Sequence, residues 1–176
     1  MISATNTPPC WDTPAPADAV LTVVDALSSA GMGDVDGCCA VLSGSTVDPG
    51  WLTIVAVDIL AALVQGLFAR EWWDRMRLEA SELAIETGAS DWQLRGTLTA
   101  IALAEARQQG ARVRVSELQV HSEFEPAELA SIACQLAGMV AAHRYGNALF
   151  GKLQRVRRMY RDYGFTGSAV YHVLSR

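Results

Sequence analysis

The feature that most constrains the fold is a long apolar run in the first half of the chain. Residues 51–69 have the sequence WLTIVAVDILAALVQGLFA, and fifteen of these nineteen positions are apolar. The exceptions are Thr53, Asp58, Gln65 and Gly66. Such a run either crosses a bilayer or lies at the centre of a folded core, because a surface helix is apolar on one side only.

Asp58 lies near the middle of this run and favours the folded core. A central aspartate costs roughly 2.5–3.5 kcal/mol on membrane insertion, whereas each Leu, Ile, Val or Phe gains only about 0.3–0.6. Ten such residues therefore only about offset Asp58 and the other polar positions. Asp58, Ala62, Gln65 and Ala69 also recur at helical spacing on one face, as in the central helix of a bundle. We expect residues 51–69 to form a core helix.

A membrane anchor through residues 51–69 is the alternative. Nineteen residues are long enough to cross a bilayer. The residues that follow have the composition of a membrane interface with a positive cytoplasmic flank: Arg70, Trp72, Trp73, Arg75 and Arg77.

The remainder of the chain shows helical periodicity almost throughout. Apolar residues recur every three or four positions, most clearly over residues 126–145. The same spacing predicts the inner face of a later helix, at Leu149, Leu153, Val156, Tyr160 and Tyr163. Helix starts are indicated by Asp48 before Pro49, by the capping-box spacing of Ser90 and Gln93, and by Pro126; helix ends are indicated by Gly31, Gly88 and Gly110. The pattern predicts an all-α, single-domain bundle of six to seven helices.

One segment departs from this periodicity. Arg112, Val113, Arg114 and Val115 alternate in polarity, which is typical of a short strand or an extended crossing. Because so few residues cannot form a sheet alone, the all-α prediction is kept.

Charge is unevenly distributed along the chain. The formal net charge is −5, but residues 1–150 contain 8 Arg and 18 Asp or Glu, which gives −10. Residues 151–176 contain six basic residues against Asp162, which gives +5. We therefore divide the chain into a flexible N-terminal arm (1–15), an acidic helical body (16–150) and a basic C-terminal helical hairpin (151–176) packed on the same domain. A basic end indicates an anionic partner, unless acids such as Glu79, Glu82 and Glu86 neutralise it.

The C-terminal segment VRRMYRDYGFTGSAVYHVLSR has the spacing of a helix, a turn at Gly164 and a second helix, and in this it resembles a helix-turn-helix unit. That motif has Ala or Gly four residues before the turn glycine, where this chain has Tyr160. The resemblance implies Met159 and Tyr163 as apolar positions of the first helix, and Val170 and Val173 as the buried face of the second. The candidate contacts to a protein partner or a nucleic acid are Lys152, Arg155, Arg157, Arg158, Arg161, Thr166, Ser168, Tyr171 and His172.

No sequence motif indicates catalysis, a metal or a cofactor. The four cysteines contain no C-x-x-C pair and no histidine at zinc-ligand spacing. No glycine-rich phosphate loop occurs, because SGSTVDPG lacks the lysine of a P-loop. We therefore expect no catalytic residues, no metal site and no cofactor. With no basic region followed by an apolar run at the N-terminus, a cytoplasmic location is expected.

The sequence thus favours a protein that works by binding. The first hypothesis is a non-enzymatic regulatory or adaptor protein that acts by protein–protein interaction or self-association. The second is a nucleic-acid-binding regulator that uses the helix-turn-helix-like unit. The membrane-anchored protein is the third and least favoured.

Overall fold

The computed structural model describes residues 8–65, 68–164 and 169–176, and these ranges are helical with no strand. They contain nine helices, two or three more than the sequence predicts. The helices are α1 (Ala17–Gly31), α2 (Val35–Ser43), α3 (Pro49–Leu63), α4 (Ala69–Thr87), α5 (Asp91–Gln108), α6 (Arg112–Val120), α7 (Pro126–Tyr145), α8 (Ala148–Arg161) and α9 (Ala169–Ser175).

Helix α3 is the centre of the core. Twelve of its fifteen residues are buried, and it packs against α1, α5, α7 and α9. The helix begins as the sequence predicts, with Pro49 in its first turn and the Asp48 carboxylate 2.7 Å from the amide nitrogen of Gly50. The buried hydroxyl of Thr53 lies within hydrogen-bond distance of the carbonyl oxygens of Pro49 and Pro126, so its polarity is satisfied inside the core.

The prediction of one helix over residues 51–69 is wrong at its C-terminal end. Helix α3 ends at Leu63, whose carbonyl accepts a hydrogen bond from Arg144, and the next carbonyl, of Val64, accepts one from Gln108 at 3.0 Å. Fifteen residues extend about 22 Å, less than the apolar thickness of a bilayer. In the described part of the chain, no helix has both the length and the hydropathy of a membrane span.

Helices α1 and α7 approach each other closely because small residues lie between them. A Cβ atom on Gly138 would lie 2.5 Å from the Cβ of Ala30 and 2.8 Å from the amide nitrogen of Gly31. The buried face of α7 is accordingly made mostly of small side chains, and Met139 and His143, which fall on the large apolar stripe of the sequence, are exposed. Close backbone approach, rather than the largest apolar side chains, determines which face of α7 is buried.

The expected strand or extended crossing at residues 112–115 is instead the start of α6. The amide of Val115 donates to the carbonyl of Ala111 at 3.0 Å, which is the hydrogen bond of a helix. Val115 is buried and Leu118 is partly buried against the core, whereas Val113 is 74% exposed. The alternation of Arg and Val covers too few residues to outweigh local helix formation on the surface of α5.

Candidate functional site

Helix α8 is strongly amphipathic, and its inner face is the one that the sequence predicts. Leu149, Leu153, Val156 and Tyr160 are buried, and the helix packs against α1, α7 and α9. Tyr163, the last position of the predicted stripe, is 73% exposed because it lies beyond the end of the helix. One side of α8 is therefore fixed to the bundle, and the opposite side is available for contacts.

We call this opposite side the outer face of α8, and all of its members are exposed: Phe150, Gly151, Arg155, Arg158 and Arg161. Arg155 and Arg158 form no ion pair with any carboxylate in the described part of the chain. Arg161 has a long contact of 3.9 Å with Asp25. Phe150 is 64% exposed. The outer face of α8 thus presents free guanidinium groups and, one to two turns earlier in the helix, an exposed aromatic ring.

Arg157 differs from its neighbours because it points toward α1. Its Nε lies 2.8 Å from the Asp25 carboxylate, and only 15% of its side chain is exposed. A partly desolvated ion pair of this kind fastens α8 to α1. The acids Glu79, Glu82 and Glu86 therefore do not neutralise this arginine; an aspartate of the first helix does.

Lys152 is also used within the fold. Its Nζ lies 3.3 Å from the carbonyl oxygen of Val173 and 4.4 Å from the centre of the Tyr145 ring. Two neighbours complete the contacts to the end of α9: Arg144 donates to the carbonyl of Ser175 at 2.9 Å, and the Tyr145 hydroxyl donates to that of Leu174. Terminal carbonyls of a short helix are thereby satisfied by side chains of α7 and α8.

Helix α9 lies on α3 and is held from both sides. Val170 and Leu174 are buried, so Leu174 takes the place that the helix-turn-helix resemblance implies for Val173. The amide of Val170 donates to the Tyr160 hydroxyl at 3.3 Å, and the bulky tyrosine thus joins α8 to α9. Of the other candidate contacts on this segment, His172 is exposed, and Thr166 and Ser168 lie outside the described residues.

Tyr171, the remaining candidate contact, is only partly exposed and lies close to the ion pair of Asp58 and Arg107. Burial raises the pKa of its hydroxyl, and the negative charge of Asp58 raises it further. The side chain therefore extends toward the interior of the bundle, away from the exposed His172.

Asp58 and Arg107 form the principal buried ion pair, which the sequence does not reveal. The Nε and Nη2 of Arg107 lie 2.5 and 3.0 Å from the two carboxylate oxygens, and 13% and 23% of the Asp58 and Arg107 side chains are exposed. Burial raises the pKa of Asp58, while the hydrogen bonds and charge of Arg107 act in the opposite direction. The pairing explains how a carboxylate is tolerated within an otherwise apolar helix.

This ion pair also holds the N-terminal arm. The Arg107 guanidinium lies 5.1 Å from the centre of the Trp11 ring and donates to the Trp11 carbonyl at 3.2 Å. The Trp11 indole donates in turn to Gln119 at 2.6 Å, and Asp12 lies 3.6 Å from Arg112. Residues 8–15 therefore lie against the body at α5 and α6, anchored by Trp11.

A groove of about 450 Å³ lies between α2, α3 and α7. Its walls include the Trp92 and Phe124 rings, whose centres are 4.5 Å apart, and the thiol of Cys39, which is 3.4 Å from the Ser131 hydroxyl. No histidine lines it among the described residues, and its carboxylate, Glu128, caps the start of α7. The groove offers apolar contact surface rather than an acid–base pair.

A second exposed face lies on α4, which packs mainly on α5 through the buried Trp73 and Met76. We call it the acidic ridge of α4, and its members share one side of the helix at helical spacing: Leu78, Glu79, Glu82, Ile85 and Glu86. Trp73 is the buried tryptophan of α4 and Trp72 is only partly buried, which turns this ridge toward solvent. The ridge is absent from the sequence-based candidates because its apolar residues resemble core positions.

Comparison with known proteins adds no relative. No protein-family model matches the chain, and neither the curated proteins nor the solved structures contain a significant match.

Proposed function

We propose that this protein is a non-enzymatic regulatory or adaptor protein that binds an acidic protein surface through the outer face of α8. The observation that carries this proposal is that Arg155 and Arg158 are exposed without a carboxylate partner in the described residues, on the same helix as the exposed Phe150. The inner face of the same helix is fixed to the bundle. A rigid helix with a free, chemically distinct face is a common form of protein recognition site.

The chemistry of this face favours an anionic partner with some apolar surface. Guanidinium groups form bidentate hydrogen bonds with carboxylates, and an exposed aromatic ring supplies an apolar anchor. The chain as a whole carries a net charge of −5, so the outer face of α8 is a local exception that orients an acidic partner toward it.

Two observations support a protein partner over a nucleic acid. Arg157, a candidate contact in the helix-turn-helix interpretation, is paired with Asp25. Tyr171, another candidate contact in that interpretation, is partly buried beside Asp58 and Arg107. Fewer groups are therefore available for a nucleic acid than the sequence pattern implies, whereas Arg155, Arg158 and Phe150 are available for a protein.

The test is fluorescence anisotropy with the full chain and three labelled probes. The probes are a helical peptide of Glu and Leu, the same peptide with Lys for Glu, and a DNA duplex. We expect binding of the acidic peptide only, with an affinity that falls as salt screens the charges. The variant Arg155→Glu with Arg158→Glu is expected to lose this binding.

The matched control is Arg70→Glu with Arg114→Glu, which makes the same change in net charge at two exposed arginines on α4 and α6 rather than on α8. It is expected to bind the acidic peptide like the unmodified chain. Equal loss in both variants would reduce the effect to net charge and overturn the proposal. Binding of the duplex without binding of the acidic peptide would overturn it in favour of a nucleic-acid partner.

A further inference from the structure

We infer that the chain self-associates, with the acidic ridge of α4 in one copy bound to the outer face of α8 in a second copy. This inference rests on the proposed function of α8 as a site for an acidic surface, and it names that surface. Two exposed helix faces of opposite charge on the same chain carry the argument.

The acidic ridge of α4 has the charge that the outer face of α8 requires. Residues 78–94 contain four carboxylates and no basic residue. Glu82 and Glu86 form no ion pair among the residues that the structure describes, whereas Glu79 is paired with Arg75 at 2.7 Å. At least two carboxylates of the ridge are therefore free to meet arginines from outside the chain.

The ridge also has apolar surface that the monomer leaves uncovered. Ile85 is 83% exposed and Leu78 is 58% exposed, and of the described large apolar side chains Ile85 is the most exposed. The partly buried small residues Ala80 and Ala84 lie on another side of the helix. Leu78 and Ile85 are two turns apart on one side, as in helices that bind a partner through an apolar stripe.

The two faces also match in composition. Each lies on a regular helix, spans two to three turns and combines exposed apolar side chains with charged ones: Leu78 and Ile85 with the glutamates on α4, and Phe150 with the arginines on α8. Laid together, the helices would bring Leu78 and Ile85 onto Phe150 and place Glu82 and Glu86 within reach of Arg155 and Arg158. Partial burial of these pairs would strengthen their attraction relative to that of fully solvated charges.

A second copy is the occupant that these observations favour. Within one chain, no ion pair joins the acidic ridge of α4 to the outer face of α8 in the described ranges, so both remain available. Each copy carries both halves of the contact and supplies them at equal concentration. Because the two faces are unlike, the contact closes either as a reciprocal pair in a two-fold dimer or as a ring.

The test is sedimentation velocity of the full chain at low salt over a range of concentrations. The unmodified chain is expected to show concentration-dependent association that weakens with salt. Two variants each reverse one face: Arg155→Glu with Arg158→Glu makes both faces acidic, and Glu82→Lys with Glu86→Lys makes both faces basic. Each alone is expected to associate more than about tenfold more weakly, because like charges then meet.

The decisive experiment mixes these two variants. In the mixture, the acidic ridge of the first variant meets the still basic α8 of the second, and the reversed faces also have opposite charge. Association is therefore expected to return in the mixture although each variant alone associates only weakly. Circular dichroism spectra and urea midpoints like those of the unmodified chain show that both variants are folded.

Failure of this inference is distinguishable from failure of the proposed function. A monomeric unmodified chain at every concentration, or a mixture that does not regain association, overturns the α4–α8 contact. If the acidic peptide still binds the outer face of α8 in that case, the proposed function stands and the partner is another protein. If neither the peptide nor a second copy binds, both proposals fall.

Discussion

Charged groups inside the bundle and charged groups on the outer face of α8 are held in different ways. Asp58 and Arg107 each have a partner, and both are mostly removed from solvent. Arg155 and Arg158 are exposed and form no ion pair in the described residues. Arg157 belongs with the first group although it is the immediate neighbour of Arg158, because its direction on the helix brings it to Asp25.

This difference separates stability from binding. Removing one member of a desolvated ion pair leaves the other charge without compensation, so the free energy of unfolding falls. Removing a solvated charge without a partner changes that free energy little, and any effect then appears in binding. Substitutions at the two kinds of position are therefore expected to affect different measurements.

The largest effect is expected from Asp58→Ala. Arg107 would keep its charge in a partly buried position without the carboxylate, and the free energy of unfolding is expected to fall by about 2–4 kcal/mol in urea titration. The double variant Asp58→Leu with Arg107→Met removes both charges and is expected to recover most of the loss. A single variant as stable as the unmodified chain would show that the pair contributes nothing to the fold.

The next largest effect on stability is expected from substituting two glycines, the buried Gly138 and the exposed Gly151. This pair extends the comparison from charge to packing. Gly138→Ala would press a methyl group against Ala30, at 2.5 Å, and is expected to cost about 1–3 kcal/mol in the free energy of unfolding. Gly151→Ala lies on the outer face of α8 with no atom within 4 Å of the new Cβ. It is expected to stabilise by about 0.5–1 kcal/mol through helix propensity. If both substitutions changed the free energy of unfolding in the same direction, the placement of Gly138 in a tight contact and of Gly151 on an open face would be wrong.

The sequence predicts helix boundaries that local residues specify, such as the end of α4 at Gly88, better than boundaries that depend on distant residues. Asp48 and Pro49 specify the start of α3 locally, and Ser90 with Gln93 form the predicted capping box at α5. The end of α3 is different, because its last carbonyls are satisfied by Gln108, from another helix far along the chain, and by an arginine of α7. Such distant partners are not visible in a local pattern, so the apolar run 51–69 is read as one helix.

The candidate site, like the helix boundaries, can be predicted from the sequence only in part. The arginines of residues 155–161 stand out from composition alone, and the apolar spacing of α8 correctly predicts its inner face. The spacing does not show that Arg157 meets Asp25, 132 positions earlier in the chain. It also does not show that Ile85 faces solvent, since this depends on which tryptophan of α4 is buried.

The two neighbouring arginines of α8 allow a matched test with a smaller effect. Arg157→Ala removes the ion pair with Asp25 and is expected to lower the free energy of unfolding by about 1 kcal/mol, a value reduced because Asp25 is 38% exposed. Arg158→Ala is expected to change it by less than about 0.5 kcal/mol. In fluorescence anisotropy with the acidic peptide we expect the reverse order, with the larger loss of affinity for Arg158→Ala. If the same variant had the larger effect in both measurements, the distinction between Arg157 as a structural residue and Arg158 as a binding residue would be wrong.

The smallest effect is expected at the end of α9, where Tyr145→Phe removes one hydroxyl that donates to the carbonyl of Leu174. One neutral hydrogen bond contributes about 0.5–1.5 kcal/mol, and partial exposure of Tyr145 places this substitution near the lower value. Hydrogen exchange is the sensitive measurement, because faster exchange confined to the amides of α9 indicates local opening of that helix. Tyr163→Phe, at an exposed position beyond α8, is the control and is expected to leave exchange unchanged. Unchanged exchange in Tyr145→Phe would mean that Arg144 and Lys152 hold the end of α9 without the Tyr145 hydroxyl. Tyr145 would then no longer count among the side chains that stabilise the fold.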